Sequence, residues 1–122
     1  MADHIEFGIE AEKRAAQFLE EKNYKILKRN WRYMKAEIDI IAEDLSRNQI
    51  VIVEVKARKI NPLVDAEIAV TSKKRKLLIK AADAFIVENE IALETRFDII
   101  SLYKSNSGWE IQHLENAFFA YE

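Results

Sequence analysis

The sequence of 122 residues has no cysteine, two glycines and one proline. Without cysteine there are no disulfides, thiolate nucleophiles or cysteine-bound zinc, and a cytoplasmic location accords with that. So little glycine and proline leaves few sharp turns and no flexible linker. Neither a glycine-rich phosphate loop nor a Gly-x-Ser-x-Gly nucleophile elbow is present. No apolar run approaches the ~20 residues of a membrane helix. The opening Met-Ala-Asp-His-Ile-Glu lacks the basic-then-apolar order of a signal peptide. No membrane partner is therefore expected. The two histidines, His4 and His113, stand alone without zinc spacing and read as surface or core side chains.

What is there describes an ordinary globular chain, 49% hydrophobic and 33% charged. Its length fits one domain, residues 1–122, with a core that buries about two thirds of the unfolded surface. The net charge of −2 hides an uneven distribution. Between Glu21 and Glu37 every charged residue is basic: Lys22, Lys25, Lys28, Arg29, Arg32 and Lys35. Between Glu67 and Asp83 the same holds for Lys73, Lys74, Arg75, Lys76 and Lys80. Together the two segments can form a phosphate-binding surface; each alone reads as solvated lysines on an ordinary surface.

The stretch Ile50–Arg58 carries the first anomaly. Ile50, Val51, Ile52 and Val53 mark a strand packed on both faces. Period-two alternation then puts Glu54, Lys56 and Arg58 on the face of Ile50 and Ile52. Buried charges are costly unless paired or bound to a metal, so Glu54 and Lys56 form either an ion pair or part of a site. Which holds depends on whether other acids converge on that face.

Residues 4–22 pattern as an amphipathic helix capped by Asp3, with an apolar stripe through Ile5, Ile9, Ala15, Ala16 and Leu19 that passes through Glu12. Glu12 is the second anomaly, unless it lies at the stripe's edge. Asn23 suits the left-handed end of the helix. Tyr24–Tyr33 reads as a strand with basic residues on its exposed side. Ala36–Ala42 follows as a strand, with Glu37, Asp39 and Ile41 on one face and Ile38 and Ile40 on the other. The polar Glu43–Gln49 is the turn of an antiparallel hairpin into the Ile50 strand, which sets Asp39 beside Glu54 and close to Lys56 in a favourable register.

Arg58–Ala66, with Pro62, reads as a loop. Ile68–Val87 reads as a second helix with a stripe of Val70, Leu77, Leu78, Ala81 and Phe85. Lys74, at helical spacing on that stripe, either snorkels or reaches toward a phosphate. Arg96–Tyr103 and Trp109–Leu114 are strands separated by Asn106-Ser107-Gly108. Asp98 reads as structural. The tail Ala117–Tyr121 is apolar and docks on the core or on a second copy of the chain. The resulting order is α-β-β-β-α-β-β.

Three carboxylates on three elements, Glu12, Asp39 and Glu54, thus fall on faces expected to be buried, with Lys56 among them. Oxygen-only ligation suits a hard cation, Mg²⁺ or Mn²⁺, which keeps several waters and bridges to phosphate oxygens. Such an ion activates water and stabilises a departing oxygen, and Lys56 would orient that water or neutralise developing charge.

Asp39 followed by Glu54-Val55-Lys56 resembles the Asp…Glu-x-Lys signature of restriction-endonuclease-like nucleases. A helical glutamate upstream is typical of their Holliday-junction-resolvase branch. More closely, the chain resembles the YraN-like family of small bacterial proteins. The resemblance rests on Glu12-x-x-Ala15-Ala16-x-x-Leu19, Tyr24-x-Ile26-Leu27-x-x-Asn30-x-Arg32, Glu37-Ile38-Asp39-Ile40-Ile41, Val53-Glu54-Val55-Lys56-x-Arg58, Ala69-Val70-x-x-x-Lys74 and Arg96-Phe97-Asp98. The chain departs from that family's pattern in carrying Ala11 and Ala36 where glycine is usual, and in lacking a glycine after Arg58.

The resemblance implies an α/β fold, a restriction-endonuclease-like three-layer α/β/α arrangement with a mixed five-stranded sheet. It also implies a metal-dependent DNA endonuclease acting on duplex or branched DNA. Asp39 and Glu54 would ligate Mg²⁺ or Mn²⁺, and Glu12 would join them directly or through water. Lys56 would be the catalytic lysine, and Arg58, Lys74, Arg32 and Lys73 would contact nucleic acid. Two alternatives stand beside this reading. One is a catalytically inactive DNA-binding or scaffolding protein that keeps the fold; the other is an interaction domain that forms a homodimer through Phe118-Phe119.

Overall fold

A segment that is apolar on both faces belongs in the middle of a sheet, and Ile50–Val53 lies there. A computed structural model describes residues 2–59 and 70–120. Helix α1 (Ala2–Glu21) leads into β1 (Tyr24–Tyr33), β2 (Ala36–Asp44) and β3 (Gln49–Lys59). Helix α2 (Ser72–Glu88), β4 (Glu94–Ser105) and β5 (Gly108–Phe118) complete the expected α-β-β-β-α-β-β order. The strands form one sheet in the order β1-β2-β3-β4-β5. All neighbours are antiparallel except β3 and β4, which run parallel and are connected through α2. The sheet is therefore mixed.

Each helix closes one face. Under α1, Ala11, Ala15, Ala16 and Leu19 pack on Ile40, Val51, Val53, Ile100 and Leu102. Under α2, Leu78, Ala81, Ala82 and Phe85 pack on Ile38, Ile50, Ile52, Phe97 and Ile99. Each fully buried Ile, Leu or Phe stabilises this helix–sheet–helix sandwich by about 1.5–3 kcal/mol. Strand β1 forms an exposed edge, with a bulge between Ile26 and Lys28 and with Lys25, Lys28, Arg29 and Arg32 exposed. Bulges and charges are common protections of a free edge against further strand pairing.

Several boundaries differ from those the pattern predicts, each for a local reason. Helix α1 starts at Ala2, so Asp3 lies inside it and is not its cap. Asn23, at φ 71°, does take the left-handed conformation that ends it. The buried line of α1 is Ala11, Ala15 and Leu19, while Ile5 and Ile9 remain 65% and 62% exposed. Anchoring the stripe on those isoleucines turns the inferred face by about one residue, or 100°. Glu12 thereby moves from the middle of the stripe to its edge.

Helix α2 begins at Ser72, not Ile68, because the Thr71 hydroxyl caps it by accepting the Lys74 N–H at 3.2 Å. The β2–β3 turn tightens to Leu45–Asn48, since Glu43 and Asp44 still pair with Ile50 and Gln49. Arg58 continues β3; the rest of the loop expected to Ala66, with Pro62, lies outside the described residues, as does Ile68. Strand β5 runs on to Phe118, which is buried and stacked on Phe97 with ring centroids 5.0 Å apart. The tail thus docks on the core through Phe118, leaving Phe119 39% exposed.

Candidate active site

The site grows out of a break in strand alternation. Along β2, Ile38 faces the α2 core and Ile40 the α1 core, although residues two apart on a regular strand share a face. The switch falls on Asp39. The recorded β2–β3 pairing ends at Ile40–Val53, and one step further the same register sets Asp39 across from Glu54. There the Asp39 carboxylate takes the place of a main-chain acceptor: Oδ2 accepts the Val55 N–H at 2.8 Å. Asp39 consequently stands at a fork between two strands and lines cavities on both sides of the sheet.

On the α2 side, a cavity of about 300 Å³ is bounded by Lys35, Glu37, Asp39, Thr71, Lys73 and Lys74, among others. On the α1 side, Asp39 shares a cavity of about 420 Å³ with Ile5, Ile9, Glu12, Asn30 and Val55. The sequence expectation had Glu37, Asp39 and Ile41 on one face. The bulge-like switch at Asp39 corrects that and gives this carboxylate access to both cavities.

Glu54 is 4% exposed and lies on the α2 face, as alternation requires. Its Oε2 is shared by two ammonium groups, Lys74 Nζ at 2.6 Å and Lys56 Nζ at 3.6 Å. Its Oε1 is buried with no hydrogen-bond partner among the described residues. The hydroxyl of Ser101, which lies beside Lys56 in the parallel β3–β4 register, is in the same condition. An unsatisfied buried oxygen costs about 1–3 kcal/mol, so each of these atoms calls for a partner such as water or a cation.

The electrostatics point the same way. Burial, then the charge of Glu54 and more weakly that of Glu12, pushes the Asp39 carboxyl up to about 7. The Val55 N–H and the Lys74 ammonium oppose this only in part. Burial lowers the affinity of Lys74 for its proton, but the carboxylates of Glu54, Asp39 and Glu37 outweigh it and raise its pKa. Two lysines thus face the two carboxylates, yet burial still holds the Asp39 carboxyl up.

The other residues expected at the site are spread around it. Glu12 is at the edge of α1, within 3.8 Å of Arg29, with a side chain 20% exposed. It shares the α1-side cavity with Asp39, across the fork from Glu54. Lys73 is exposed at the mouth of the α2-side cavity. Arg32 is on the edge strand, 3.8 Å from Glu37. Arg58 lies two residues beyond Lys56 on β3, beside Tyr103.

Among the described residues no three acidic or imidazole groups stand close enough to hold one ion between them. A magnesium site commonly needs only one or two carboxylates, with waters and substrate phosphates completing the shell. Asp39 and Glu54, with the unpartnered Oε1, fit that requirement, whereas Glu12 does not complete a three-carboxylate set.

A second polar cluster occupies the opposite end of the sheet, on the α1 face, and only Asp98 in it was read as structural from the sequence. The Arg96 guanidinium, 2% exposed, donates to both Asp98 oxygens, Asp44 Oδ2, Gln49 Oε1 and the Tyr24 hydroxyl at 2.6–3.2 Å. Asp98 also accepts from the Asn116 N–H at 3.1 Å and from His113 Nε2 at 2.7 Å. A carboxylate only accepts, which assigns the proton to Nε2; His113 Nδ1 then faces Lys22 Nζ at 3.3 Å. Burial would raise the pKa values of Asp98 and Asp44, but these hydrogen bonds and the guanidinium charge hold both below the usual carboxylate range. His113 is therefore a core histidine. Two charges two residues apart in an otherwise apolar strand segment, Arg96-Phe97-Asp98-Ile99-Ile100, are the sequence signal for this network.

Comparison with known proteins adds a family but no reaction. Residues 11–102 match the profile of a group described as uncharacterised protein family UPF0102, a span that includes Glu12, Asp39, Glu54, Lys56 and Lys74. The chain is 42% identical to a UPF0102 protein of Flavobacterium psychrophilum over 119 residues, covering 98% of each chain. It is 43% identical to one from Phocaeicola vulgatus over 119 residues, covering 98% of this chain and 97% of the relative. A UPF0102 protein of Porphyromonas gingivalis is 38% identical over 120 residues, covering 97% of this chain and 87% of the relative.

Proposed function

We propose, for a chain that belongs to the uncharacterised, YraN-like protein family UPF0102, that it is a Mg²⁺- or Mn²⁺-dependent endonuclease acting on duplex or branched DNA. One observation carries the reading: the buried Glu54 and the half-buried Asp39 come together at a strand fork, where the Asp39 carboxyl is pushed up to about 7 and Glu54 Oε1 has no hydrogen-bond partner among the described residues. Structural ion pairs are arranged the other way, each oxygen facing a donor.

Asp39 and Glu54 would hold the ion, with Glu12 reaching it at most through water. Bound there, the ion would supply Lewis-acid activation of water and of the phosphodiester. Lys56, 3.6 Å from Glu54 Oε2, would orient the attacking water and offset charge that builds on the phosphate oxygens. Lys74 neutralises Glu54 and, with Lys73 at the open rim, brings ammonium groups to where a phosphate would enter. Arg32 and Arg58 would contact the flanking backbone.

The test is cleavage of linear and four-way-junction DNA in Mn²⁺. Asp39→Ala is expected to lower the rate by about 100-fold or more, above the effect of losing an outer-shell partner. Undiminished cleavage by that variant would overturn the site. A second reading, a DNA-binding or scaffolding protein that keeps the fold, draws on the saturation of Glu54 Oε2 by two lysines. It predicts DNA binding that is indifferent to Mn²⁺ and to Asp39→Ala.

A further inference from the structure

The first turn of α2 runs against the usual electrostatics of helices. Its sequence Ser72-Lys73-Lys74-Arg75-Lys76 sets four consecutive cations at the positive end of the helix dipole, with no acidic residue in that turn. Two of the four have internal duties. Lys74 turns inward to Glu54 at 2.6 Å, and Arg75 donates to the Val70 carbonyl at 2.9 Å while covering the Phe118 ring.

The other two, Lys73 and Lys76, are exposed and, with Lys80 one turn on, line a separate groove of about 720 Å³ along the outer side of α2. Like charges at this spacing repel, so the row is not explained by helix stability. Leu77, Ile79 and Ala120 give the groove an apolar floor, and Asp83 is its one acid among the described residues. Lys73 and Leu77 line both this groove and the cavity beside Asp39, so the two are continuous around the start of the helix.

We propose that this groove binds an unpaired strand of the nucleic acid whose scissile phosphate lies at Asp39 and Glu54; the inference rests on the nuclease reading and names the form of its substrate. Lys73, Lys76 and Lys80 match successive backbone phosphates. The apolar floor takes base faces, which a single strand exposes and a duplex conceals in its stack. A duplex backbone alone would use the lysines and leave the floor unoccupied.

The experiment is fluorescence anisotropy without divalent ions, over a range of salt. The probes are a blunt duplex and the same duplex bearing a single-stranded tail of about ten nucleotides, within the site size of such grooves. Wild type is expected to bind the tailed probe more tightly, with a salt slope steeper by about 2, at roughly 0.7 per phosphate contact for three lysines. In Lys76→Gln/Lys80→Gln the tailed slope should fall by about 1.4, for two lost contacts at the same 0.7 each, with the blunt slope unchanged. Both substitutions remove exposed like charges, so folding is not at risk, and circular dichroism confirms it.

Equal affinity for the two probes in wild type overturns the proposal. So does an equal loss for both probes in the variant, which would mark a duplex track, or a change of sedimenting mass, which would mark the groove as a contact between copies. Cleavage of the tailed probe by wild type in Mn²⁺, measured beside the anisotropy, separates this inference from the nuclease reading. A tail preference in wild type that does not cleave leaves the groove standing and removes the reaction, whereas cleavage without tail preference does the reverse.

Discussion

Two clusters of buried charge sit at opposite ends of the same sheet, and they differ in how completely they are satisfied. Around Arg96, the Asp44 and Asp98 side chains each meet donors on both oxygens, and their carboxyls are held below the ordinary range. Around Asp39, burial and neighbouring carboxylates push the carboxyl up to about 7, and Glu54 keeps an oxygen with no partner among the described residues. The same residue types thus serve opposite ends. One cluster ties β1, β2, β3, β4 and β5 together through their side chains; the other lies at a fork that lines two cavities. Strongly perturbed carboxylates in a cleft are candidates for function, and the contrast within one molecule favours the Asp39 cluster as the candidate.

The largest expected break of that contrast is Asp98→Ala. It leaves the Arg96 guanidinium buried with half its charge partners and orphans the Asn116 N–H, so stability should fall by about 3–5 kcal/mol in urea denaturation. Asp39→Asn should be as stable as wild type or more so, since it relieves like-charge repulsion and its amide oxygen can still accept from Val55. If both variants lose stability equally, the distinction between the clusters fails.

The two ends should also answer pH with opposite sign. Asp39 binds its proton more tightly in the folded chain, about 7 against 3.8 for a free carboxyl, so its contribution to stability declines as pH rises through that window. The advantage of Asp39→Asn over wild type should therefore grow between about pH 4 and 7. Asp44 and Asp98 have lowered folded values. Their contribution is fully present above the unfolded value of 3.8 and is lost as pH falls through the folded ones. Denaturation midpoints of wild type and Asp39→Asn across that range measure the first effect, and acid unfolding of wild type measures the second.

Smaller effects sharpen the picture. Lys74→Gln removes a charge that lowers the Asp39 pKa, so the carboxyl midpoint seen by NMR titration should move above about 7. Glu12→Gln, at a part-exposed site with its arginine 3.8 Å away, should change stability by less than about 1 kcal/mol.

Much of this was legible in the sequence, for identifiable reasons. Four β-branched residues in succession at Ile50–Val53 fix a central strand, and the polar segment after Asp39 fixes a hairpin whose register brings Asp39 to Glu54. Strict alternation could not show that β2 switches faces at Asp39, because a break in pairing depends on which groups compete for the Val55 N–H. The face of α1 was misread because its sheet-facing line consists of small alanines, while the larger isoleucines lie outside it. The Arg96 network was hidden for a different reason. Its partners Tyr24, Asp44, Gln49 and His113 come from four other strands, and no local pattern reports contacts at that separation.

The central claim is that the Asp39–Glu54 fork is built for a divalent cation. Isothermal titration of Mn²⁺ into wild type and Asp39→Asn, near pH 7 and in two buffers of different ionisation enthalpy, tests it most directly. Wild type should bind and release protons, because the raised carboxyl must ionise to ligate, and Asp39→Asn should show neither effect. Absence of binding to wild type at millimolar Mn²⁺, with and without DNA, would contradict the account.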